Sequence, residues 1–304
     1  MEKLKALIFD VQRFSVHDGD GIRTTVFFKG CSLRCWWCHN PEGIAFQQHL
    51  LFSKNKCIAC RLCEKVSNGA IHFNRENIPS IDYSKDFDLS KVSSICPTGA
   101  FELDSKLWTV DTLVDEVIKD LPFYKYGGGV TASGGECLLQ ADFLHDFFSK
   151  LKTLKIHTAI ETALNVPLED IKKVLPVTDQ IFFDLKTLDE DTQEKYIGGN
   201  LKRIVENATW ILESEYAPKV IVRTPLIPGI TDTNENIKAI STFITDIYPE
   251  VAYELLNYNN FAGSKYEKLG QDYLLSELRP LTTERVDELL TIAQEGGVKK
   301  VINR

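Results

Sequence analysis

Seven of the chain's eight cysteines fall between positions 31 and 96, and six of those form two tight triplets. The first triplet lies in Gly30-Cys31-Ser32-Leu33-Arg34-Cys35-Trp36-Trp37-Cys38-His39-Asn40-Pro41-Glu42, spaced C-x3-C-x2-C, directly after the β-like run Thr24-Thr25-Val26-Phe27-Phe28. Disulfides are one use for eight cysteines, but triplets in a reducing compartment point to metal. A cubane iron–sulfur cluster takes a soft thiolate on each iron, and three cysteines leave one iron open to a small molecule. The plainer readings are structural zinc or three unrelated core thiols. Zinc wants a fourth ligand, for which His39 is the candidate, but C-x3-C-x2-C-H is not a usual zinc spacing.

The remaining bulk properties narrow the setting. The 304 residues are 43% hydrophobic and 26% charged, ordinary for a globular chain with a sizeable core. A net charge of −8 argues against a nucleic-acid surface. No apolar run reaches the length of a membrane span. The opening Met1 to Asp10 has too short an apolar centre for a secretory leader and reads as a first strand. A cytoplasmic location is expected, and oxygen-labile centres imply an anaerobic or microaerobic one.

Residues 4–30 read as two short strands around the polar turn His17-Asp18-Gly19-Asp20-Gly21-Ile22-Arg23. Residues 54–103 carry two cysteine-bearing pieces and a polar middle, and read as an inserted small domain. The flanking 1–53 and 104–304 then form one discontinuous domain. From 104 onward helical periodicity appears at 111–121 and 141–153, with further helices expected at 167–175, 190–197, 201–215, 233–247 and 281–295. Apolar or β-branched runs lie between them at 129–133, 158–160, 180–185, 219–223 and 252–256. With the strand before Cys31 these make about six β/α units, which argues for a parallel sheet or barrel. In barrels the chemistry sits at the carboxyl ends of the strands.

Polar groups fall at such ends. Gly127-Gly128-Gly129-Val130-Thr131-Ala132-Ser133-Gly134-Gly135-Glu136 closes one strand with glycines that let backbone approach a ligand; a phosphate loop is the alternative, without a G-K-[ST] or G-x-G-x-x-G register. Asp184 and Lys186 point the same way from another strand end, where they suit a ribose hydroxyl and a carboxylate or form a plain surface ion pair. Glu161-Thr162 and Arg223 flank them, and Arg223 reads equally as a buried carboxylate's partner.

In order along the chain, Asp18-Gly19-x-Gly21-Ile22-Arg23, the triplet with Asn40-Pro41-Glu42, Ser133-Gly134-Gly135-Glu136, Asp184-Leu185-Lys186, Arg223-Thr224-Pro225-Leu226-Ile227-Pro228-Gly229 and Ser264-Lys265-Tyr266 resemble successive signatures of the glycyl-radical-enzyme activating enzymes. These are a branch of the radical S-adenosylmethionine superfamily. The resemblance implies an α/β fold, a partial (β/α)6 TIM-like barrel holding a [4Fe–4S] cluster on Cys31, Cys35 and Cys38. S-adenosylmethionine would chelate the fourth iron and be cleaved to a 5′-deoxyadenosyl radical. That radical would take a hydrogen from one glycine on the C-terminal loop of a partner enzyme.

By position, Gly134, Gly135 and Glu136, after Ser133, would support the methionine end of the cofactor, with Asp184 and Lys186 also contacting it. Trp37 would lie beside the adenine, with Asn40 and Arg223 among the cofactor contacts. Asp18 would meet the incoming glycine peptide, and Glu161 and Thr162 match a place where relatives bind a monovalent cation. A flavodoxin or ferredoxin would supply the electron. The chain departs from the pattern at Asp20 and Cys137, where relatives have proline, and at Asn259, where some have histidine.

The insert can be read further. Cys57-x2-Cys60-x2-Cys63 begins a ferredoxin repeat whose fourth position is Ser67, and Cys96-Pro97 is the ending of a second repeat whose earlier slots hold Val92, Leu89 and Asp86. Because the last cysteine of each ferredoxin repeat ligates the other repeat's cluster, Cys57, Cys60, Cys63 and Cys96 are a complete set for one auxiliary [4Fe–4S] cluster in a ferredoxin-like domain; structural zinc on the same four is the alternative. Rival readings of the whole are a radical enzyme acting on another peptide and an iron–sulfur carrier without turnover.

Overall fold

The computed structural model describes residues 4–303, so Met1 to Lys3 of the expected first strand lie outside the described residues. The strands are β1 (Lys5–Ser15), β2 (Arg23–Phe28), β3 (Leu50–Phe52), β4 (Ile71–Phe73), β5 (Pro79–Ile81), β6 (Phe101–Leu103), β7 (Lys106–Thr109), β8 (Gly129–Gly134), β9 (His157–Thr162), β10 (Gln180–Asp184), β11 (Val220–Leu226), β12 (Ala252–Asn257) and β13 (Lys300–Asn303). Nine of them form one sheet in the order β13-β12-β11-β10-β9-β8-β2-β1-β7, with β13 and β7 at its two edges. The pairings from β2 through β13 are all parallel, while β1 pairs antiparallel with both β2 and β7.

The helices are α1 (Leu62–Val66), α2 (Leu89–Ile95), α3 (Val110–Val117), α4 (Ala141–Thr153), α5 (Leu168–Val174), α6 (Glu190–Thr192), α7 (Leu201–Glu213), α8 (Asn234–Ile247), α9 (Gly263–Lys268) and α10 (Thr283–Glu295). The larger ones begin on caps that the sequence supplies. Thr109, Asn200, Thr233 and Thr282 each accept a backbone N–H at the start of α3, α7, α8 and α10.

Two-residue periodicity sorts the strand side chains. Val26, Phe28, Val130, Ala132, Ile160, Ile181, Phe183, Val222, Tyr253 and Leu255 belong to the main core, where Leu144, Phe147, Phe148 and Leu151 of α4 meet them. The alternate positions, Ser133, Glu161, Asp184, Arg223 and Glu254, line a cavity on the inner face. An apolar outer face and a polar inner one put Glu161, Asp184, Arg223 and Glu254 on the side that lines the cavity.

The expected elements are present, with three differences. The helix expected over 111–121 stops at Val117 and passes into a 3-10 stretch, Ile118–Tyr126, because Pro122 cannot continue α-helical bonding. The helix expected over 190–197 is α6 followed by a π turn, Gln193–Ile197. A seventh parallel strand, β13, adds to the six foreseen. Residues 50–103, which hold the second triplet and Cys96, have their own core of Leu50, Phe52, Cys63, Ile71, Val92, Ala100 and Phe101. β3, which precedes position 54, pairs antiparallel with β6 at the other end of this stretch.

Candidate active site

The cysteine loop leaves the end of β2 and is held by backbone on both sides. Gly30 and Cys31 donate to the carbonyls of Gly43 and Ile44 at 2.8 and 3.0 Å, and Arg34 and Trp36 donate to those of Ile197 and Tyr196 at 2.7 and 3.0 Å. The glycines at the end of β8 exist for this docking. A Cβ on Gly134 (φ +118°) would lie 2.3 Å from the backbone N and O of Phe28, and one on Gly135 would lie 2.3 Å from the Gly30 carbonyl oxygen. Their bare backbone therefore serves the neighbouring cysteine loop as well as the space in front of it.

Cys31, Cys35 and Cys38 line one wall of a cavity of about 470 Å³, together with Trp37 and Asn40. Ser133 and Gly134 from β8, Gly135 just after it, Glu161 and Thr162 from β9, Asp184 and Lys186 from β10 and the loop after it, and Arg223 from β11 complete it. Thirteen of the fifteen sequence-expected residues around the first triplet thus meet at one place, at the carboxyl ends of the strands.

They are joined by charge. Ser133 Oγ donates to Glu161 Oε2 at 2.6 Å; Arg223 Nη1 donates to Glu161 Oε1 at 2.8 Å and its Nε to Asp184 Oδ1 at 3.2 Å; Lys186 Nζ donates to Asp184 Oδ2 at 2.9 Å. Arg223 is thus both a carboxylate partner and a cavity residue, so neither of its two sequence readings excludes the other. Burial acts against the Asp184 carboxylate, but Lys186 and Arg223 outweigh it and hold the group below the usual range. Burial likewise acts against Lys186, and Asp184 and Cys35 outweigh it, so the ammonium is raised. The site keeps its ions in place at neutral pH, two cations balanced by carboxylates at the cavity wall.

Two expected residues stand elsewhere. Glu136 is turned away from the cavity: its carboxylate accepts from Leu138 N, Thr162 Oγ1 and Ala163 N at 3.2, 2.9 and 2.9 Å. It fixes the end of β9 to the end of β8, and burial pushes it up to about 7. Asp18 is not on the cavity wall either, although its neighbour His17 is. Its Oδ2 accepts from Thr25 Oγ1 at 2.5 Å and its carbonyl from Thr131 Oγ1 at 2.7 Å. Residues 17–20 therefore fold against the inner face of β2 and β8, with Arg23 Nε on Thr131 Oγ1 at 2.6 Å below them. Asn40 is at the wall with its side-chain oxygen held by Lys265 Nζ at 2.7 Å.

The sequence reading missed Glu254, Asn257 and Tyr258, which also line the cavity. A charge within the apolar run of β12, in register with Arg223, was the available signal. It singled out Ser264-Lys265-Tyr266 but foresaw neither the helix α9 there nor its packing, in which Tyr258, Ala262, Tyr266 and Tyr273 meet Leu33 and Trp37 over the cysteine loop.

The donor set suits a cluster with one open corner. Burial pushes the Cys31 and Cys38 thiols up to about 12 and raises Cys35, so metal binding here would be coupled to release of their protons. His39 Nε2 lies 3.0 Å from the Asn259 carbonyl instead of joining the sulfurs. In the small unit, Cys57, Cys60, Cys63 and Cys96 line one further pocket with Phe73 and Phe101. Among the described residues no three such side chains are arranged to hold a single ion.

Comparison with known proteins agrees. The radical SAM superfamily matches residues 25–243. The chain is 38% identical over 303 residues to the 4-hydroxyphenylacetate decarboxylase activating enzyme of Clostridioides difficile, covering 98% of this chain and 96% of the relative. It is 36% identical to the indoleacetate decarboxylase activating enzyme of Tractidigestivibacter scatoligenes (99% and 98% covered) and 35% identical to the isethionate sulfite-lyase activating enzyme of Desulfovibrio desulfuricans (91% and 90% covered).

Proposed function

Because the chain belongs to the radical SAM superfamily and, within it, to the glycyl-radical-enzyme activating enzymes, we propose that Cys31, Cys35 and Cys38 hold its [4Fe–4S] cluster and that the cavity before them seats S-adenosylmethionine. When bound and reduced, a cluster with one iron free of protein ligands supplies the electron that splits S-adenosylmethionine into methionine and a 5′-deoxyadenosyl radical, which takes a Cα hydrogen from a glycine of the partner enzyme. The observation that carries this assignment is three buried thiols on one wall of a cavity whose other walls are Ser133, Glu161, Asp184, Lys186 and Arg223.

The chain's own residues have the following parts. Lys186 and Arg223 offer positive charge to a carboxylate, and Glu161 and Asp184 offer acceptors to an ammonium or to ribose hydroxyls. Trp37 gives an apolar face next to the third cysteine, and Gly134 and Gly135 bring backbone close to the same space. Asp18, held by Thr25 and Thr131 inside the sheet, waits where a glycine-bearing peptide would meet it. Glu161 and Thr162 suit a monovalent cation beside the cofactor.

Residues 50–103 form a ferredoxin-like unit with one auxiliary [4Fe–4S] cluster on Cys57, Cys60, Cys63 and Cys96. The support is that all four sulfurs line one pocket while Ser67 and Val92, in two of the missing cysteine slots, are buried in packing. A flavodoxin or ferredoxin is the donor and the cytoplasm the location. The relatives named for decarboxylases, a sulfite-lyase and a dehydratase differ by only a few per cent in identity, 38% to 34%. What transfers is the activation chemistry, and the partner is to be sought as a larger glycyl radical enzyme encoded nearby.

The test is to reconstitute the protein anaerobically, reduce it with S-adenosylmethionine, and add the glycyl radical enzyme. 5′-Deoxyadenosine and a glycine-centred radical signal are expected. Deoxyadenosine without that radical would favour another peptide substrate, and neither product would favour a carrier.

A further inference from the structure

Lys29 stands two residues before Cys31, and its side chain and that of Asp104 are both fully buried. Its Nζ donates to Asp104 Oδ2 at 2.7 Å and to the Glu42 carbonyl. Those contacts span the cysteine loop, since Lys29 is at its entry and Glu42 at its exit. Asp104 lies at the neck of the small unit, one residue past β6, and its N–H donates to the His49 carbonyl at 2.9 Å, one residue before β3. Ser105 Oγ donates to the other Asp104 oxygen at 2.7 Å, and Gln48 Nε2 donates to the Ser105 carbonyl. One ammonium therefore gathers both ends of the cysteine loop and, through Asp104, both chains of the neck.

Stability does not account for such a pair. Taking two charges fully out of water costs about what their attraction returns, and an apolar pair of the same volume is often as stable. An apolar pair, however, has no direction, whereas an ammonium held by a carboxylate and a carbonyl fixes three chain segments at set distances.

We propose that Lys29 and Asp104 are a positioning pair, fixing the loop that carries Cys31, Cys35 and Cys38 against the small unit that carries Cys57, Cys60, Cys63 and Cys96. The pair thereby sets the separation and orientation of the two clusters; for the second cluster this rests on the reading given above. Both electron transfer and magnetic coupling between two centres fall steeply with separation, so the neck is where their communication is decided.

The experiment uses the anaerobically reconstituted holoprotein, comparing Lys29→Met, Asp104→Asn and the double variant Lys29→Met/Asp104→Leu with the wild type. Amide hydrogen exchange is read by peptide, and the magnetic interaction between the reduced clusters by electron paramagnetic resonance. In the single variants exchange should rise about tenfold in peptides from 29–44 and 46–52 and stay unchanged in α8 and α10. The decisive comparison is the double variant. It should regain the wild-type melting temperature yet retain an altered cluster–cluster interaction, with iron content unchanged. A double variant matching the wild type in both exchange and cluster interaction would overturn the proposal, since an apolar pair would then do as well.

If Lys29→Met does not fold, Asp104→Asn, which keeps shape and one hydrogen bond, and the double variant decide the matter by the same readouts. If the wild type itself holds only about four irons per chain, the auxiliary-cluster reading falls, and the exchange comparison still decides whether the pair fixes the loop to the neck.

Discussion

At the scale of single residues, the inner face of the sheet is a chain of charges ordered by register. Arg223 is the link that joins the two carboxylates, because its fork reaches Glu161 and Asp184 together. Arg223→Lys keeps the charge but not the fork. It should weaken S-adenosylmethionine binding about tenfold and cost about 1–3 kcal/mol of stability, read as KM for 5′-deoxyadenosine formation and as thermal unfolding. Unchanged KM would mean that the arginine serves the fold alone.

Glu136 gives a pH signature. Its folded value of about 7 lies above its ordinary 4.5. The folded protein therefore binds more protons than the unfolded chain between those values, and stability falls as pH rises through that window. Relative to Glu136→Gln, the wild type should lose up to about 3 kcal/mol from pH 4.5 to 7 in denaturant unfolding. Parallel curves would show an ordinary carboxylate. The glycines separate in the same spirit. Gly134→Ala places Cβ against Phe28 backbone, whereas Gly127, also at positive φ (+85°), has nothing within 4 Å. Gly134→Ala should cost more than about 3 kcal/mol and impair iron loading, and Gly127→Ala about 1 kcal/mol with normal loading.

At the scale of elements, the small unit and the cysteine loop are the two parts whose chemistry can be separated. Cys96→Ala should lower iron from about eight to about four per chain. It should leave turnover with a chemical reductant near wild type, and lose turnover with a protein donor, if the auxiliary centre passes electrons. Loss of folding under both reductants would make that centre structural. How the elements were legible follows from their physics. Long parallel strands and amphipathic helices such as α4 and α8 carry strong periodicity, and their bounds were readable to within a residue or two. β13 was not, because four residues opening on Lys300 hold too little pattern. The 3-10 stretch after α3 was flagged only by Pro122. Around the site, polar residues at strand ends stood out among apolar neighbours, but their joint role was readable only through the resemblance to the activating enzymes. The inward turn of Glu136 was hidden, since no spacing tells whether a carboxylate after two glycines faces the cavity or the core.

At the scale of the molecule, an open sheet keeps its polar face for one cavity and places the cysteine loop at its rim. Chain from 258 to 278 packs over that loop, and a small cysteine-bearing unit is tied to its base through Lys29 and Asp104. No helix among the described residues is long and apolar enough to cross a membrane. The central claim is that the three thiols leave one metal corner facing a seat for a sulfonium nucleotide. The most direct measurement is single-turnover analysis of the anaerobically reconstituted, reduced protein with S-adenosylmethionine. Equal amounts of methionine and 5′-deoxyadenosine are predicted, lost together in Cys35→Ala. Zinc at the first triplet, or reduced protein that leaves the nucleotide intact, would contradict it.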